Sequence, residues 1–318
     1  MPSMPTRRLN DAELRDADLV VENPLLVEGL THDPPAPDIV PTIIAEYHLP
    51  KEGAVRCCYC EQRQHHQHGF IAEFAPGCRH LIGSLCGTAK LDLQFQAARS
   101  SHKDLRSRQN YLRRLDDVAG RVDTVIAECD AVLASAALRE VELAAAVLDK
   151  RAGNLMLRLR AVGGSLYEDV RVRDLEAETK EDEKRGNRRF KNERRLIGTL
   201  RGRGVLNADG FRLRIKGLKD ALRNAASLQR SNTDDLPTSK LKKVLNALND
   251  AHEDANMVIE EISRASAFFS ANNLALLAQW SASNASARIE IEGSNVLVNG
   301  FEIPKVGNTQ LSAIAAIK

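Results

Sequence analysis

Five of the six cysteines and four of the eight histidines of this 318-residue chain lie between Cys57 and Cys86. The segment runs Cys57-Cys-Tyr-Cys60, His65-His-Gln-His-Gly69, Cys78-Arg-His80 and Cys86-Gly87, and Cys129 stands alone outside it. A disulfide framework needs an oxidising compartment. The start of the chain, Met-Pro-Ser-Met-Pro-Thr-Arg-Arg, has no apolar stretch of signal-peptide length, so the expected setting is the reducing cytoplasm. Sulfur and imidazole donors at these spacings then point to zinc, which takes four such ligands in a tetrahedron. Cys57-x2-Cys60 on a tight turn supplies two of them.

The residues between the donors predict a local fold. Phe70-Ile-Ala-Glu-Phe74 alternates as a strand, Pro76-Gly77 turns the chain, and His80-Leu-Ile82 returns. Cys86 then falls where a helix begins, and the unpaired N–H groups of a helix start favour a thiolate. Knuckle, hairpin and a ligand at a helix start is the order of a treble-clef finger. The succession C-x2-C, H-x2-G and I-G-x-x-C-G (Cys57, Cys60, His66, Gly69, Ile82, Gly83, Cys86, Gly87) resembles small zinc-finger modules of uncharacterised bacterial and phage proteins. The resemblance implies one structural Zn2+ per chain on Cys57, Cys60, His66 and Cys86. Cys78, His80, His65 and His68 remain alternative ligands, whereas Cys58 is too close to Cys60 for the knuckle. A module of about 35 residues has too little core of its own and would depend on the metal to fold.

Beyond the module the pattern is helical. Tyr111, Leu115, Val118, Val122, Val125, Cys129 and Val132 are spaced 4-3-4-3-4-3; the seam slips near Ala137–Glu140 and restarts from Val141 to Val162, where Gly163-Gly164 is a natural stop. A third seam runs from Leu241 through Val244, Leu248, Ala251, Ala255, Val258, Ile262 and Ala265 to Phe269. The C-terminus changes period: Ala287–Glu292, Val296–Val298 and Phe301–Ile303 read as strands, with Asn299-Gly300 as a tight turn. Aromatics are only 4% of the chain, which disfavours a large all-β domain, and no window approaches the length of an apolar membrane span.

The expected fold is therefore mainly α: a small treble-clef-like zinc module, long helices forming a coiled coil or helical bundle, and a small C-terminal β-meander. Residues 1–50 hold eight of eleven prolines and nine acids against three bases, and read as a loosely ordered acidic arm. The zinc module takes residues 51–90, and a helical or coiled-coil region 91–229. A helical hairpin follows over 230–285 and the meander tail over 286–318.

The basic charge is concentrated in residues 184–216. Between Lys184 and Arg203 stand Lys184, Arg185, Arg188, Arg189, Lys191, Arg194, Arg195, Arg201 and Arg203 against Glu193, with Arg212, Arg214 and Lys216 beyond. Arginine forks suit phosphate, so nucleic-acid backbone contact is expected there, while the single aromatic, Phe190, argues against a stacking reader of single strands. The alternative for this run is a solvated helix face, balanced by the neighbouring acids Glu176–Glu183. No Ser-His-Asp context, Walker loop, dinucleotide glycine signature or HExxH motif is present. The reading is thus a non-enzymatic intracellular zinc protein that contacts nucleic acid and associates with itself through the heptad seams. The alternatives are a scaffold that binds a protein through the acidic arm, and a metal-dependent nuclease using His65, His66 or His68. The nuclease would have only Glu61 and Glu73 as nearby carboxylates.

Overall fold

The computed structural model describes residues 9–35, 39–58, 65–177, 179, 185–186, 188–284, 288–292 and 295–317. They fall into two compact units, the first from Met1–Gly120, Ala225–Asn246 and Lys318, the second from Arg121–Asn224 and Ala247–Ile317. No described helix is long and apolar enough to cross a membrane.

In the first unit, helix α1 (Asp11–Asp16) opens on Asn10, whose side chain accepts from Glu13 N while Glu13 caps in return. Strands β1 (Thr42–His48), β2 (Val55–Arg56), β3 (His65–His66), β4 (His68–Ala75) and β5 (Cys78–Gly83) follow, and α2 (Ser84–Ala119) starts directly after β5. β1, β4 and β5 form an antiparallel sheet with β4 central, and β2 pairs with β3. One sheet face buries Ile43, Phe70, Ala72, Phe74 and Ile82 against Phe95 of α2; the other buries Ala45, Tyr47, Ile71 and Leu81 with Val55. Covering both faces explains the continuous apolar run Phe70-Ile-Ala in the central strand.

Within the stretch expected to be a loosely ordered arm, residues 19–31 form an ordered strap along the sheet. Glu46 N donates to Leu19 O and Val21 N to Glu46 O beside β1, while Thr31 N donates to Arg79 O and Arg79 N to Gly29 O beside β5. Between these anchors Val21, Val27 and Leu30 pack on the second sheet face. The strap thereby pairs both sheet edges. Proline density conceals this because β1, Thr42-Ile-Ile-Ala-Glu-Tyr-His48, lies between Pro41 and Pro50.

The coiled coil is also corrected. The described residues are 55% helical, but small antiparallel sheets interrupt the helices, including a central hairpin. The first seam is divided between α2 and α3 (Val122–Ala134), the second runs along α4 (Ala136–Ala161), which is capped by Ser135, and the backbone leaves helical geometry at Asp92 and Ala152. Helix α5 spans Phe211–Arg230, α6 Thr238–Ser263 and α7 Ala271–Asn284. Along α6, Leu241, Leu248, Ala255, Val258 and Ile262 of the expected seam are buried within the single chain, as are Leu245 and Ile259 beside it. So wide a buried stripe is the core face of a globular helix and not a two-residue seam awaiting a partner.

Helix α4 ends at Gly163-Gly164, both with positive φ, where Gly164 N donates to Leu159 O and Gly163 N to Arg160 O. The chain then leaves the expected helix altogether. Strands β6 (Ser165–Arg173) and β7 (Phe190–Thr199) pair antiparallel from Ser165↔Thr199 to Arg173↔Phe190. Val170-Arg-Val-Arg173 has the two-residue period of a strand, and a helix-wide scan averages it away. At the C-terminus β8 (Ile289–Glu292), β9 (Asn295–Val298) and β10 (Phe301–Glu302) form a three-stranded meander turning at Asn299-Gly300. Gly293 and Ser294, between β8 and β9, lie outside the described residues.

Candidate metal centre and nucleic-acid interface

Of the four metal ligands expected from the sequence, Cys57, His66 and Cys86 are described and Cys60 is not. Cys57 is buried directly after β2, and Cys58 N donates to Leu81 O of β5, which fixes Cys57 and Cys58 beside the hairpin. His66 in β3 pairs with Val55 in β2. Its ring lies over Gly83, where a Cβ would sit 3.2 Å from His66 Cγ, so glycine there permits the approach. Gly83 is the N-cap of α2, and Cys86 lies in the first turn of that helix.

Tyr47 backs this arrangement. It is fully buried and its hydroxyl is hydrogen-bonded to His66 Nε2. Burial, and then the neighbouring Cys57 and Cys58 sulfurs, hold its phenol far above the ordinary range. With Nε2 engaged by the phenol, a metal would be bound through Nδ1, the usual division of labour for a ligating histidine. Among the described residues no three His, Cys, Asp or Glu side chains group as a metal site, and Cys60 is not among them.

The alternative ligands are carried elsewhere. Cys78 is exposed beside the β4–β5 turn, five residues from Gly83 along β5 or about 17 Å at strand rise. His80 is buried edge-to-face against Phe74 with ring centroids 5.2 Å apart, and burial lowers its pKa despite Asp33 nearby. His65 is exposed, paired with Arg56, and His68 pairs with His48. The three histidines proposed for a nuclease therefore do not converge. Cys129 is fully buried and burial pushes its thiol up to about 11, as suits an inert core side chain.

The basic run forms part of the β6–β7 ribbon, roughly 30 Å long for nine paired residues. Its base is fixed where Trp280 Nε1 donates to Tyr167 O at 2.9 Å and Gly198 meets Leu276 of α7. Residues Phe190 to Leu196 are all exposed. Alternation sorts the side chains. Tyr167, Asp169, Arg171 and Arg173 share one face with Phe190, Asn192, Arg194 and Leu196; Glu168, Val170 and Val172 share the other with Lys191, Glu193 and Arg195. On the first face the Arg171 guanidinium stacks 4.4 Å from the Phe190 ring, and Arg194 stacks 4.4 Å from Tyr167.

Arg185, Arg188 and Arg189 are exposed near the far end of the ribbon; Lys184 and most of the acidic run lie outside the described residues. Arg201 is exposed after β7, and Arg203 donates to Gly163 O. The more distant bases are committed internally: Arg212 is bidentate to Glu142 and Arg214 pairs with Glu261 at 2.9 Å. Sequence reasoning missed Arg171 and Arg173, which the alternation with Val170 and Val172 would have revealed.

No family model matches the chain, and neither does any curated protein or solved structure.

Proposed function

We propose that the chain is an intracellular, non-enzymatic protein that binds nucleic-acid backbone through one face of the β6–β7 ribbon, with a structural zinc ion on Cys57, Cys60, His66 and Cys86 securing the first unit. The observation that supports it best is the sorting of charge across the ribbon. One face carries Arg171, Arg173 and Arg194 against Asp169 alone, while the other sets Lys191 and Arg195 against Glu168 and Glu193. A two-stranded ribbon is narrow enough for a duplex major groove. Stacking on Phe190 and Tyr167 limits the freedom of two guanidiniums and so lowers the ordering cost of a phosphate contact. Self-association through the heptad seams forms no part of this reading, because those positions are mostly buried within the chain.

The test is binding to random-sequence DNA and RNA across a salt series, comparing wild type with Arg171→Glu/Arg173→Glu/Arg194→Glu and with Lys191→Glu/Arg195→Glu. The first variant should lose binding with helicity unchanged; the second should keep most of it. Wild type that binds neither polymer at low salt, or equal losses in both variants, would reject the reading. Exposed Phe190 and Leu196 on the same face favour a protein partner as the second reading, recognised by binding that barely weakens with salt.

A further inference from the structure

We infer a second metal site on the first unit, formed by His48 and His68 and suited to a divalent transition-metal ion of tetragonal preference, Cu2+ or Ni2+. His48 ends β1 and His68 begins β4, and the two are register partners. Their rings are tilted by 57° with centroids 4.9 Å apart, and their Nδ1 atoms are hydrogen-bonded to each other at 2.7 Å. Two imidazole nitrogens at about 2.0 Å from one metal are about 2.8 Å apart in cis positions of a square plane and about 3.3 Å apart in a tetrahedron. The observed separation is that of a hydrogen bond between the two rings, and it lies close enough to the square-planar value that a metal ion replacing the shared proton needs little movement of either ring. The backbone bond from Leu49 N to Gln67 O, at 2.8 Å, closes the strand ends beside the pair and fixes their spacing.

A carboxylate stands behind one ligand. Glu46, two residues before His48 on the same strand face, places Oε1 3.6 Å from His48 Nε2 and is itself paired with Arg106 of α2. A negative group on that side favours the proton on Nε2 and leaves the Nδ1 lone pair for the metal, the arrangement that orients ligating histidines. The His48 side chain is 59% exposed, so an ion can enter without opening the fold. Among the described residues no third protein donor joins the pair, so water would complete the coordination.

The site is separate from the Cys57–Cys86 centre, and the inference does not depend on zinc there. Tyr47 and His48 are adjacent in β1 and project to opposite faces of the sheet. Tyr47 packs with Ala45, Ile71 and Leu81 and holds His66. His48 shares its face with Glu46 and with α2 through Arg106.

The experiment is titration of the full chain with Cu2+ alone, followed by electron paramagnetic resonance and by visible absorption, with zinc content measured before and after. Wild type should take up one Cu2+ with nitrogen hyperfine structure from two imidazoles and no thiolate-to-copper charge-transfer band. His48→Gln and His68→Gln should each weaken uptake by about tenfold or more, as loss of half a chelate requires. His65→Gln, which removes an exposed histidine outside the pair, should change nothing. Undiminished uptake in His48→Gln and His68→Gln, or a sulfur-ligated spectrum, would overturn the site. Zinc content falling in step with copper uptake would also overturn it, by placing copper at the cysteines. A chain that purifies without zinc but shows the two-nitrogen copper signal fails only the zinc reading.

Discussion

The sheet of the first unit and the ribbon of the second are both short, antiparallel and helix-anchored, yet they spend their residues in opposite ways. Strands β1, β4 and β5 are packed on both faces, by Phe95 of α2 on one side and by the strap of residues 19–31 on the other. Strands β6 and β7 are anchored at their base by Trp280 and Leu276 and expose charged side chains beyond it. A two-stranded ribbon by itself is marginal in water, so its persistence rests on that base. Side chains buried on both faces serve stability, whereas side chains left in water at fixed spacing are available for contact. The first region is where substitution should cost folding, and the second is where it should cost binding.

The largest difference should come from the metal. Cys57→Ser should remove zinc from the purified protein and weaken the first unit by many kcal/mol, since structural zinc sites contribute about 10–16 kcal/mol in small fingers. Cys78→Ser, at the far end of the same hairpin, should keep full zinc and the wild-type melting curve. Elemental analysis with thermal unfolding reads both. Equal zinc in the two variants would remove the metal from the account of this sheet.

Packing is the next contrast. Phe95 is fully buried and meets Phe70 edge-on at 5.7 Å, so Phe95→Ala should cost about 3–5 kcal/mol in denaturant unfolding. Phe190 is 46% exposed, and Phe190→Ala should cost less than about 1 kcal/mol. A comparable loss at both positions would mean that the ribbon is a structural element rather than a contact surface.

The two regions were not equally legible in the sequence. The order β4, turn, β5 and helix start could be read directly, because Pro76-Gly77 and the alternation around it are local signals. The sheet's third strand could not, since β1 pairs with β4 across separations of 20 to 31 residues and sits among prolines. The ribbon was lost for a different reason. Lys191 to Arg195 carries charge at almost every position, so polarity has no period there, and only the cross-strand partner decides which guanidinium faces which side. The heptad seams were legible as buried positions and misleading as to partner: spacing shows that a face is covered but not by what. His48 carries no local signal in the sequence because its partner His68 lies 20 residues away.

The smallest effect concerns charge itself. Asp11 and Arg108 form a buried pair in the first unit, with Arg108 Nε 2.6 Å from Oδ1 and Nη2 2.8 Å from Oδ2, and Arg108 also donates to Thr233 O and Leu236 O. Burial acts to raise the Asp11 carboxyl, but the Arg108 guanidinium and the Thr233 hydroxyl outweigh it and hold the carboxyl below its ordinary value. A depressed carboxyl stabilises the fold fully above the unfolded value of about 3.9, and the contribution is lost as pH falls through the folded value. Asp11→Asn should therefore cost about 2 kcal/mol at pH 7, and its deficit relative to wild type should shrink as the pH is lowered below about 4. On the ribbon, Glu168 lies opposite Arg195 at a strand surface, where an ion pair contributes about 0–1 kcal/mol. Glu168→Gln should shift stability by less than about 0.5 kcal/mol at neutral pH. Chemical unfolding of both variants from pH 7 to 3 measures the contrast. A pH-independent deficit in Asp11→Asn would show that the aspartate's hydrogen-bonding shape, and not its charge, is what the buried site uses.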